Sequence, residues 1–213
     1  MNKIDEIFDY LNALFPNPKC ELNYQTPFQL LIAVILSAQC TDKRVNSITP
    51  ILFKDYPTPK KLGNAKQEDI EKIIRPLGFF RNKAKAIIAC AKQLDTEFNG
   101  KVPQNADALQ KLQGVGRKTA NVVTAEAFQA NNIGVDTHVF RVAHRLGLSD
   151  GNTPEKVEKD LRAILNGRKL STDHFLLVLF GRYHCKAKKP LCDTCKLSKI
   201  CKYYVNYVNN SNV

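Results

Sequence analysis

The sequence predicts an all-α protein. Apolar residues recur every three or four positions through most of the chain, which is the period of an amphipathic helix. Proline and small polar residues precede these segments at positions where helices commonly begin. No stretch alternates apolar and polar residues over the length of a strand, and no Asn-Gly or Asp-Gly turn separates two strand-like runs.

Nine segments are expected to be helical. In DEIFDYLNALF the apolar positions are Ile7, Phe8, Leu11, Leu14 and Phe15. The later segments are PFQLLIAVILSAQ, which starts at Pro27; EDIEKII, which stops before Pro76; KAKAIIACAKQL; NADALQKL, capped by Asn105; RKTANVVTAEAF; THVFRVAHRLG, which ends at Gly147; PEKVEKDLRAIL, which opens at Pro154; and STDHFLLVLFGRYHC.

Composition favours a nucleic-acid partner. The 213 residues carry a formal net charge of +12, and 44% of them are hydrophobic. That apolar content is ordinary for a globular protein with a substantial core. The excess of positive charge favours a polyanion over a neutral metabolite, and nucleic acid is the simplest such partner.

We expect no membrane-spanning or secretory segment. The longest apolar run, from Leu30 to Ala38, is too short to cross a bilayer. The N-terminal segment MNKIDEIFDY lacks the basic start and apolar core of a signal peptide. An intracellular, reducing location follows as the expectation, in which the seven cysteines are free thiols or metal ligands rather than disulfides.

Four cysteines lie close together in CKAKKPLCDTCKLSKIC. Cys185, Cys192, Cys195 and Cys201 have the spacing C-x6-C-x2-C-x5-C. Structural zinc sites usually pair two C-x2-C knuckles across a longer gap, and only one such pair occurs here. The spacing favours a metal centre, with an iron–sulfur cluster preferred to zinc. The remaining cysteines are expected to be small buried hydrophobic residues: Cys20, Cys40 and Cys90.

Two glycines form a turn in LQGVGRKTA, residues 112–120. A Walker loop would need glycine directly before Lys118, and a dinucleotide fingerprint would need glycine in place of Thr119, so an ATP or NAD pocket is not expected. Gly114 and Gly116 permit positive φ and close backbone approach. Their amides, at the start of the next helix, can bind one phosphate. This is a helix-hairpin-helix, which grips DNA without reading its sequence.

Lys118 stands in an unfavourable electrostatic position. A cation in the first turn of a helix is penalised by about 0.3–1 kcal/mol, and Arg117 lies directly beside it. Two explanations stay open at this point. Either a bound phosphate neutralises the lysine, or the lysine acts uncharged as an amine nucleophile. The second explanation requires burial of the amine against a docked substrate.

Asp136 bears on that choice. It directly precedes the helix THVFRVAHRLG, so the simplest interpretation is an N-cap. The other charges of this helix are basic, from Arg141 and Arg145. A carboxylate acting with an amine nucleophile is the pair needed to displace a nucleobase, because the acid stabilises the developing cationic sugar that the amine captures. His138 and His144 lack metal-ligand spacing and are expected to be core or supporting residues.

The segments LQGVGRKTANVV and VDTHVFRV, together with the cysteine loop, resemble the endonuclease III family of iron–sulfur helix-hairpin-helix DNA glycosylases. The segments LLIAVILSAQCTD, GFFRNKA and GRYHC extend the resemblance over nearly the whole chain. It implies a six-helix barrel at residues 20–130, with the helix-hairpin-helix at about 105–128, and a four-helix iron–sulfur domain built from residues 1–19 and 131–213. The active site is then expected in the groove between them.

The resemblance also implies the role of each site residue. Lys118 is the expected nucleophile and Asp136 the expected catalytic aspartate, and the four loop cysteines are expected to hold a [4Fe-4S] cluster. Gln39 is expected to fill the hole left by an extruded nucleotide. Phe79 occupies the position of an intercalating wedge that is often leucine. The remaining expected DNA contacts are Lys189, which meets a phosphate, and Gly114, Gly116 and Arg117 in the hairpin.

One departure from the family concerns the hairpin itself. Gln113 stands where relatives often carry proline, which is expected to loosen the turn while leaving both glycines in place. The larger aromatic wedge at Phe79 is a second departure, and it is expected to alter stacking on the opposite base.

The implied function is that of a bifunctional DNA glycosylase and AP lyase of base excision repair. Such an enzyme excises oxidised pyrimidines through a lysine Schiff base and nicks the strand 3′ to the abasic site by β-elimination. The expected setting is a monomer on damaged double-stranded DNA, in a bacterial-type cytoplasm at the nucleoid. Two alternatives stay open: a monofunctional adenine-mismatch glycosylase of the same superfamily, and a non-catalytic DNA-binding module.

Overall fold

A computed structural model describes residues 2–211 of the chain, with side chains to residue 206. Within that range every regular element is a helix and no strand occurs, which confirms the predicted all-α class. The chain divides into two compact units. One unit is Glu21–Ala130, and the other combines Met1–Cys20 with Asn131–Val213.

Thirteen α-helices run through the described residues. In chain order they are α1 (Lys3–Leu14), α2 (Pro27–Leu36), α3 (Asp42–Asn46), α4 (Thr49–Asp55), α5 (Pro59–Gly63), α6 (Gln67–Ile74), α7 (Phe80–Glu97), α8 (Ala106–Leu109), α9 (Arg117–Phe128), α10 (Thr137–Leu146), α11 (Pro154–Ile164), α12 (Leu170–Leu179) and α13 (Lys202–Ser211). A π-helical turn, Phe180–His184, continues α12, and a short 3-10 turn covers Cys192–Thr194.

Three helices begin with the same Thr-Pro pair, which explains why they start where they do. The hydroxyls of Thr26, Thr58 and Thr153 each accept a hydrogen bond from the amide three residues later, at 3.2–3.3 Å. The proline that follows occupies the first turn of α2, α5 and α11, where its missing N–H leaves no bond unmade.

The core of the Glu21–Ala130 unit forms around α2. Every residue of α2 from Phe28 to Leu36 is buried, so this helix is buried on all sides rather than amphipathic, with Gln29 as its one polar residue. It packs against α7 and α9. Helix α5 can approach α7 closely because Gly63 has no side chain. A Cβ at this position would lie only 2.8 Å from the backbone N and Cα of Lys92.

Arg168 fixes the N-terminal helix to the C-terminal part of the chain, within the other unit. Its guanidinium makes a 2.8 Å ion pair with Asp173 and lies 4.4 Å above the ring of Phe8 on α1. A longer contact of 3.8 Å reaches Asp5 on the same helix. Helix α1 therefore packs with α12, and its residues Ile7 and Phe8 join a core that α10, α11 and α12 complete.

The nine predicted helices correspond to α1, α2 and α6 to α12, whereas α3, α4, α5 and α13 were not predicted. Helices α3 to α5 span five to seven residues, which is too short for a three-to-four period to become visible. Helix α13 lies in the polar segment KYYVNYVNNS. None of the described helices combines the length and the apolar character that a membrane span requires.

Candidate functional site

The two glycines between α8 and α9 are present for different physical reasons. Gly114 has a φ of +78°, and a Cβ there would lie 2.9 Å from the Cβ of Ala86 on α7. Both its backbone conformation and its close packing therefore exclude a side chain. Gly116 is the N-cap of α9 with a φ of −87°, and a Cβ there would meet nothing within 4 Å. Gly116 therefore does not use the positive φ that glycine permits, and its missing Cβ instead leaves space outside the turn.

Gln113 ties the hairpin to α7. Its backbone N–H donates a 2.7 Å hydrogen bond to Oε1 of Gln93. Proline has no N–H, so a chain with proline at position 113 could not make this bond. The loosening expected from the missing proline is therefore offset by a contact that the sequence did not reveal.

Lys118 is the second residue of α9 and is half-buried. The first turn of α9 contains no acidic residue, and Gly116 offers no side-chain acceptor to its amides. Among the described residues, no hydrogen-bond or ion-pair partner to the Lys118 ammonium is found. Within the described residues, nothing therefore compensates the unfavourable charge of Lys118 at this helix terminus. An ammonium without a partner in the protein is available either to contact a phosphate or to act as a nucleophile.

Asp136 caps α10, as the sequence predicted. Its Oδ1 accepts hydrogen bonds from the amides of His138, at 2.9 Å, and Val139, at 2.8 Å. Two amides on one oxygen fix the orientation of the carboxylate, and no partner for Oδ2 is found among the described residues. Burial lowers the pKa of the His138 imidazole, and the negative charge of Asp136 opposes that shift. Asp136 and Lys118 belong to different units, so their mutual placement stays a prediction.

The four loop cysteines surround a single cavity. Cys185 and Cys201 are buried, whereas Cys192 and Cys195 are partly exposed. Burial raises the pKa of the Cys192 and Cys195 thiols above the ordinary value. The other residues that line the cavity are mostly apolar or aromatic: Leu146, Phe180, His184, Pro190, Leu191, Ser198, Tyr203 and Tyr204.

Two arginines of α10 hold the beginning of this cysteine loop. Arg141 donates from Nη2 to the carbonyl of Gly181, at 2.7 Å, and from Nε to that of Cys185, at 3.2 Å. Arg145 donates to the carbonyls of Lys186, at 2.7 Å, and Ala187, at 3.2 Å. The same helix that begins at the Asp136 cap therefore fixes the backbone of the loop.

Three of the expected DNA contacts share an unusual backbone conformation. Gln39, Phe79 and Lys189 have φ values of 55°, 56° and 50°, in the left-handed region, and all three are exposed. This conformation costs a non-glycine residue about 1–2 kcal/mol, and such strain persists where the surrounding structure imposes it. Phe79, which is 65% exposed, is the clearest case because a bulky aromatic residue rarely adopts it.

The prediction that Cys20 and Cys40 are buried hydrophobic residues is wrong, because both are partly exposed, whereas Cys90 is buried as predicted. Lys83 on α7 is only 6% exposed, and its Nζ donates a 3.1 Å hydrogen bond to the Cys40 sulfur. The burial of this lysine was not predicted from the sequence. A signal was present, because Lys83 is in helical register with the buried Ile87 and Cys90.

The comparison with known proteins identifies the family. Residues 32–166 match the profile of the HhH-GPD superfamily of base excision DNA repair proteins. Endonuclease III from Rickettsia conorii is 50% identical over 97% of each chain. The chain belongs to the endonuclease III family.

Solved structures agree with this assignment to the endonuclease III family. A trapped covalent intermediate of endonuclease III with DNA has a TM-score of 0.92 and 43% identity, covering 98% of this chain and 99% of the other. A thermostable thymine-DNA glycosylase has a TM-score of 0.86 and 25% identity, with 96% and 97% coverage. The fold is therefore that of the helix-hairpin-helix glycosylases.

The bond between Gln93 and Gln113 should be measurable as a coupling energy. Replacing Gln93 with alanine is expected to lower the free energy of unfolding by about 0.5–1.5 kcal/mol, the usual net contribution of such a bond. In a Gln113→Pro background the same replacement should cost little, since the N–H is already absent. Urea unfolding of the four proteins of this double-mutant cycle gives the coupling directly. Additive effects would show that the contact contributes nothing.

Proposed function

We propose that this protein is a bifunctional DNA glycosylase and AP lyase that excises oxidised pyrimidines from duplex DNA and nicks the strand. The observation that supports the proposal most strongly is the Lys118 amine, which is half-buried in the first turn of α9 and has no partner among the described residues. A relative with the same fold has been trapped in a covalent intermediate with DNA, which requires a nucleophile of this kind.

The reaction begins when the damaged nucleotide leaves the base stack, which costs a few kcal/mol. Gln39 and Phe79 fill the gap that it leaves. Asp136 stabilises the positive charge that develops on the sugar as the base departs with the electrons of the glycosidic bond. The free amine of Lys118 forms a bond to C1′ and loses a proton, and opening of the sugar ring gives a Schiff base.

The lyase step follows from the electron-withdrawing character of that Schiff base. It acidifies the adjacent C2′ hydrogen, and loss of this proton expels the 3′ phosphate with the electrons of its C–O bond. Water then hydrolyses the imine and restores Lys118. One lysine therefore accounts for both base removal and strand scission, as a single covalent intermediate demands.

The geometry of Asp136 suits this role. Its Oδ1 is occupied by two backbone amides, at 2.9 and 2.8 Å, so Oδ2 is the oxygen that can face a substrate. Because the cap holds the side chain in one orientation, the carboxylate needs little rearrangement before the base departs.

The DNA grip combines a hairpin and a loop. Gly116 leaves open space at the N-terminus of α9, where backbone amides and the helix dipole favour a phosphate. Arg117, the first residue of α9, adds positive charge at the same point. Lys189 is exposed in the cysteine loop and is proposed to meet a second phosphate. The protein would act in this way as a monomer on chromosomal DNA in the bacterial cytoplasm.

We assign the four loop cysteines to a [4Fe-4S] cluster. All four line the same cavity. Their spacing, C-x6-C-x2-C-x5-C, has one C-x2-C pair rather than the two that structural zinc sites usually combine. Four thiolates in one short loop are the ligand set that iron–sulfur clusters take. When bound, the cluster would cross-link the loop through four iron–sulfur bonds.

The cluster assignment predicts the metal content of the protein. Protein purified without oxygen should be brown and contain about four iron atoms and four acid-labile sulfides per chain. Cys195→Ser should lower the iron content, whereas Cys20→Ser, which changes a cysteine outside the loop, should leave it unchanged. Zinc in place of iron would contradict the assignment.

The nucleophile assignment is tested by borohydride trapping. Wild-type protein should form a covalent adduct with duplexes from a panel that each carry one defined oxidised pyrimidine. Lys118→Ala should form no adduct and should lose base excision by at least about a thousandfold, because the nucleophile is absent. The exposed Lys111 lies just before the same hairpin, and Lys111→Ala serves as the matched control. An adduct with Lys118→Ala would refute the role of Lys118, and no adduct with any wild-type lesion would refute the bifunctional activity.

The role of Asp136 is separable from its cap. Asparagine is an equally good N-cap, so Asp136→Asn should change the free energy of unfolding by less than about 0.5 kcal/mol. Base excision should fall by about a hundredfold or more, because the charge that stabilises the sugar cation is lost. Trapping on a preformed abasic site should persist, since no base has to leave. If base excision by Asp136→Asn matched the wild type, the cap would be the only role of Asp136.

A further inference from the structure

The segments that carry Gln39 and Phe79 are joined by a contact that the reaction as described does not use. The Nζ of Lys83 donates to the Sγ of Cys40 at 3.1 Å. Cys40 directly follows Gln39, and Lys83 lies in the first turn of α7, where its amide donates to the carbonyl of Phe79 at 3.0 Å. All four residues belong to the Glu21–Ala130 unit.

Lys83 is an unusual residue for such a position. Its 6% exposure places it among the buried polar residues, and the Cys40 sulfur is the one partner found for its Nζ among the described residues. Lysine is seldom buried without a partner because its ammonium loses hydration. The Lys83 ammonium therefore relies on the Cys40 sulfur as its hydrogen-bond acceptor. The same bond anchors the backbone turn around Cys40 to α7.

Both joined segments hold a strained backbone. Gln39 has a φ of 55° in the turn after α2, where the amide of Cys40 donates to the carbonyl of Ser37 at 3.0 Å. Phe79 is the N-cap residue of α7 and has a φ of 56°. Its side chain makes no capping hydrogen bond to the first amides of the helix. Left-handed residues of this kind keep their conformation only when neighbouring contacts impose it. The bond between Cys40 and Lys83 joins the two turns through their side chains.

We propose that Cys40 and Lys83 are positioning residues that hold Gln39 and Phe79 in register with each other for gap filling. The inference rests on the proposed function, because it assumes that both side chains enter the duplex when a nucleotide leaves. Neither Cys40 nor Lys83 has a step in the proposed reaction. They act by fixing the distance between two turns, so that both side chains occupy the vacated space together.

This role predicts a dependence on how firmly the lesion is paired. Extrusion costs least when the base is mismatched or unpaired. Misplaced gap-filling side chains should therefore slow excision most when the lesion has a stable partner, and least when it has none. A general loss of folded protein, in contrast, would slow excision equally on both duplexes.

The experiment measures single-turnover base excision on two duplexes with the same oxidised pyrimidine, one opposite its normal partner and one opposite an abasic site. Cys40→Ala and Lys83→Met should each lose about tenfold on the first duplex and less than about twofold on the second, in keeping with the sensitivity of catalysis to small displacements. Cys40→Ser, which keeps an acceptor for Lys83, should recover most of the rate.

Two further variants complete the design. Lys85→Met removes a positive charge from an exposed position of the same helix and should leave the ratio of the two rates unchanged. The double variant Cys40→Ala/Lys83→Met removes both partners, so no lysine is left buried alone, and it should match the single variants rather than multiply their losses. If Cys40→Ala alone proves unstable, the double variant is the one to measure, because it leaves no lysine buried without a partner.

The outcomes separate the positioning role from the proposed function. Equal losses on both duplexes, no loss on either, or multiplied losses in the double variant would each overturn the positioning role while leaving the glycosylase intact. A wild-type protein that excises no base from either duplex would instead overturn the proposed function.

Discussion

The close contact between Gly114 and Ala86 determines where the hairpin lies. Because Gly114 has no Cβ, the turn rests directly against α7, and α9 begins three residues later, at Arg117. The placement of Lys118 in the first turn of α9 follows from that constraint. Gln93 of α7 holds the turn from the side, and Phe79 starts α7 at its other end. A single long helix therefore organises the hairpin, the wedge and the buried lysine.

Helix α10 has a comparable role in the other unit. It begins at the Asp136 cap, and its two arginines bind four backbone carbonyls in the segment that leads into and follows the first loop cysteine. The guanidinium of Arg145 also lies 4.4 Å over the ring of Tyr203, beyond the last cysteine. The carboxylate proposed for catalysis and the loop proposed for the cluster thus depend on the same ten-residue helix.

Most of the fold could be predicted from the sequence because long helices have three recognisable signals: a hydrophobic period, an N-cap residue and a C-terminal stop residue. The Asp136 cap, the Asn105 cap and the Gly147 terminus all appear where the local rules place them. The short helices α3 to α5 carry too few residues for a period. The pairing of Lys83 with Cys40 could not be predicted, since it joins positions 43 residues apart and depends on tertiary packing.

The same distinction applies to the site. The motif residues Lys118, Asp136 and the four cysteines stand out by spacing and by misplaced charge, which are properties of the sequence. The left-handed backbone of Gln39, Phe79 and Lys189 leaves no such mark, because none of these residue types favours that conformation. Strain of this kind is visible only once the surrounding structure that imposes it is known.

Gln113 changes how the stability of the hairpin is expected to depend on temperature. A proline at a compatible position stabilises a turn by restricting the unfolded chain, which is an entropic effect. The bond from Gln113 to Gln93 instead draws its favourable energy from enthalpy and requires the Gln93 side chain to stay in one rotamer. Because heating works against that ordering, we expect the turn of this chain to lose rigidity sooner with rising temperature than a turn restricted by proline.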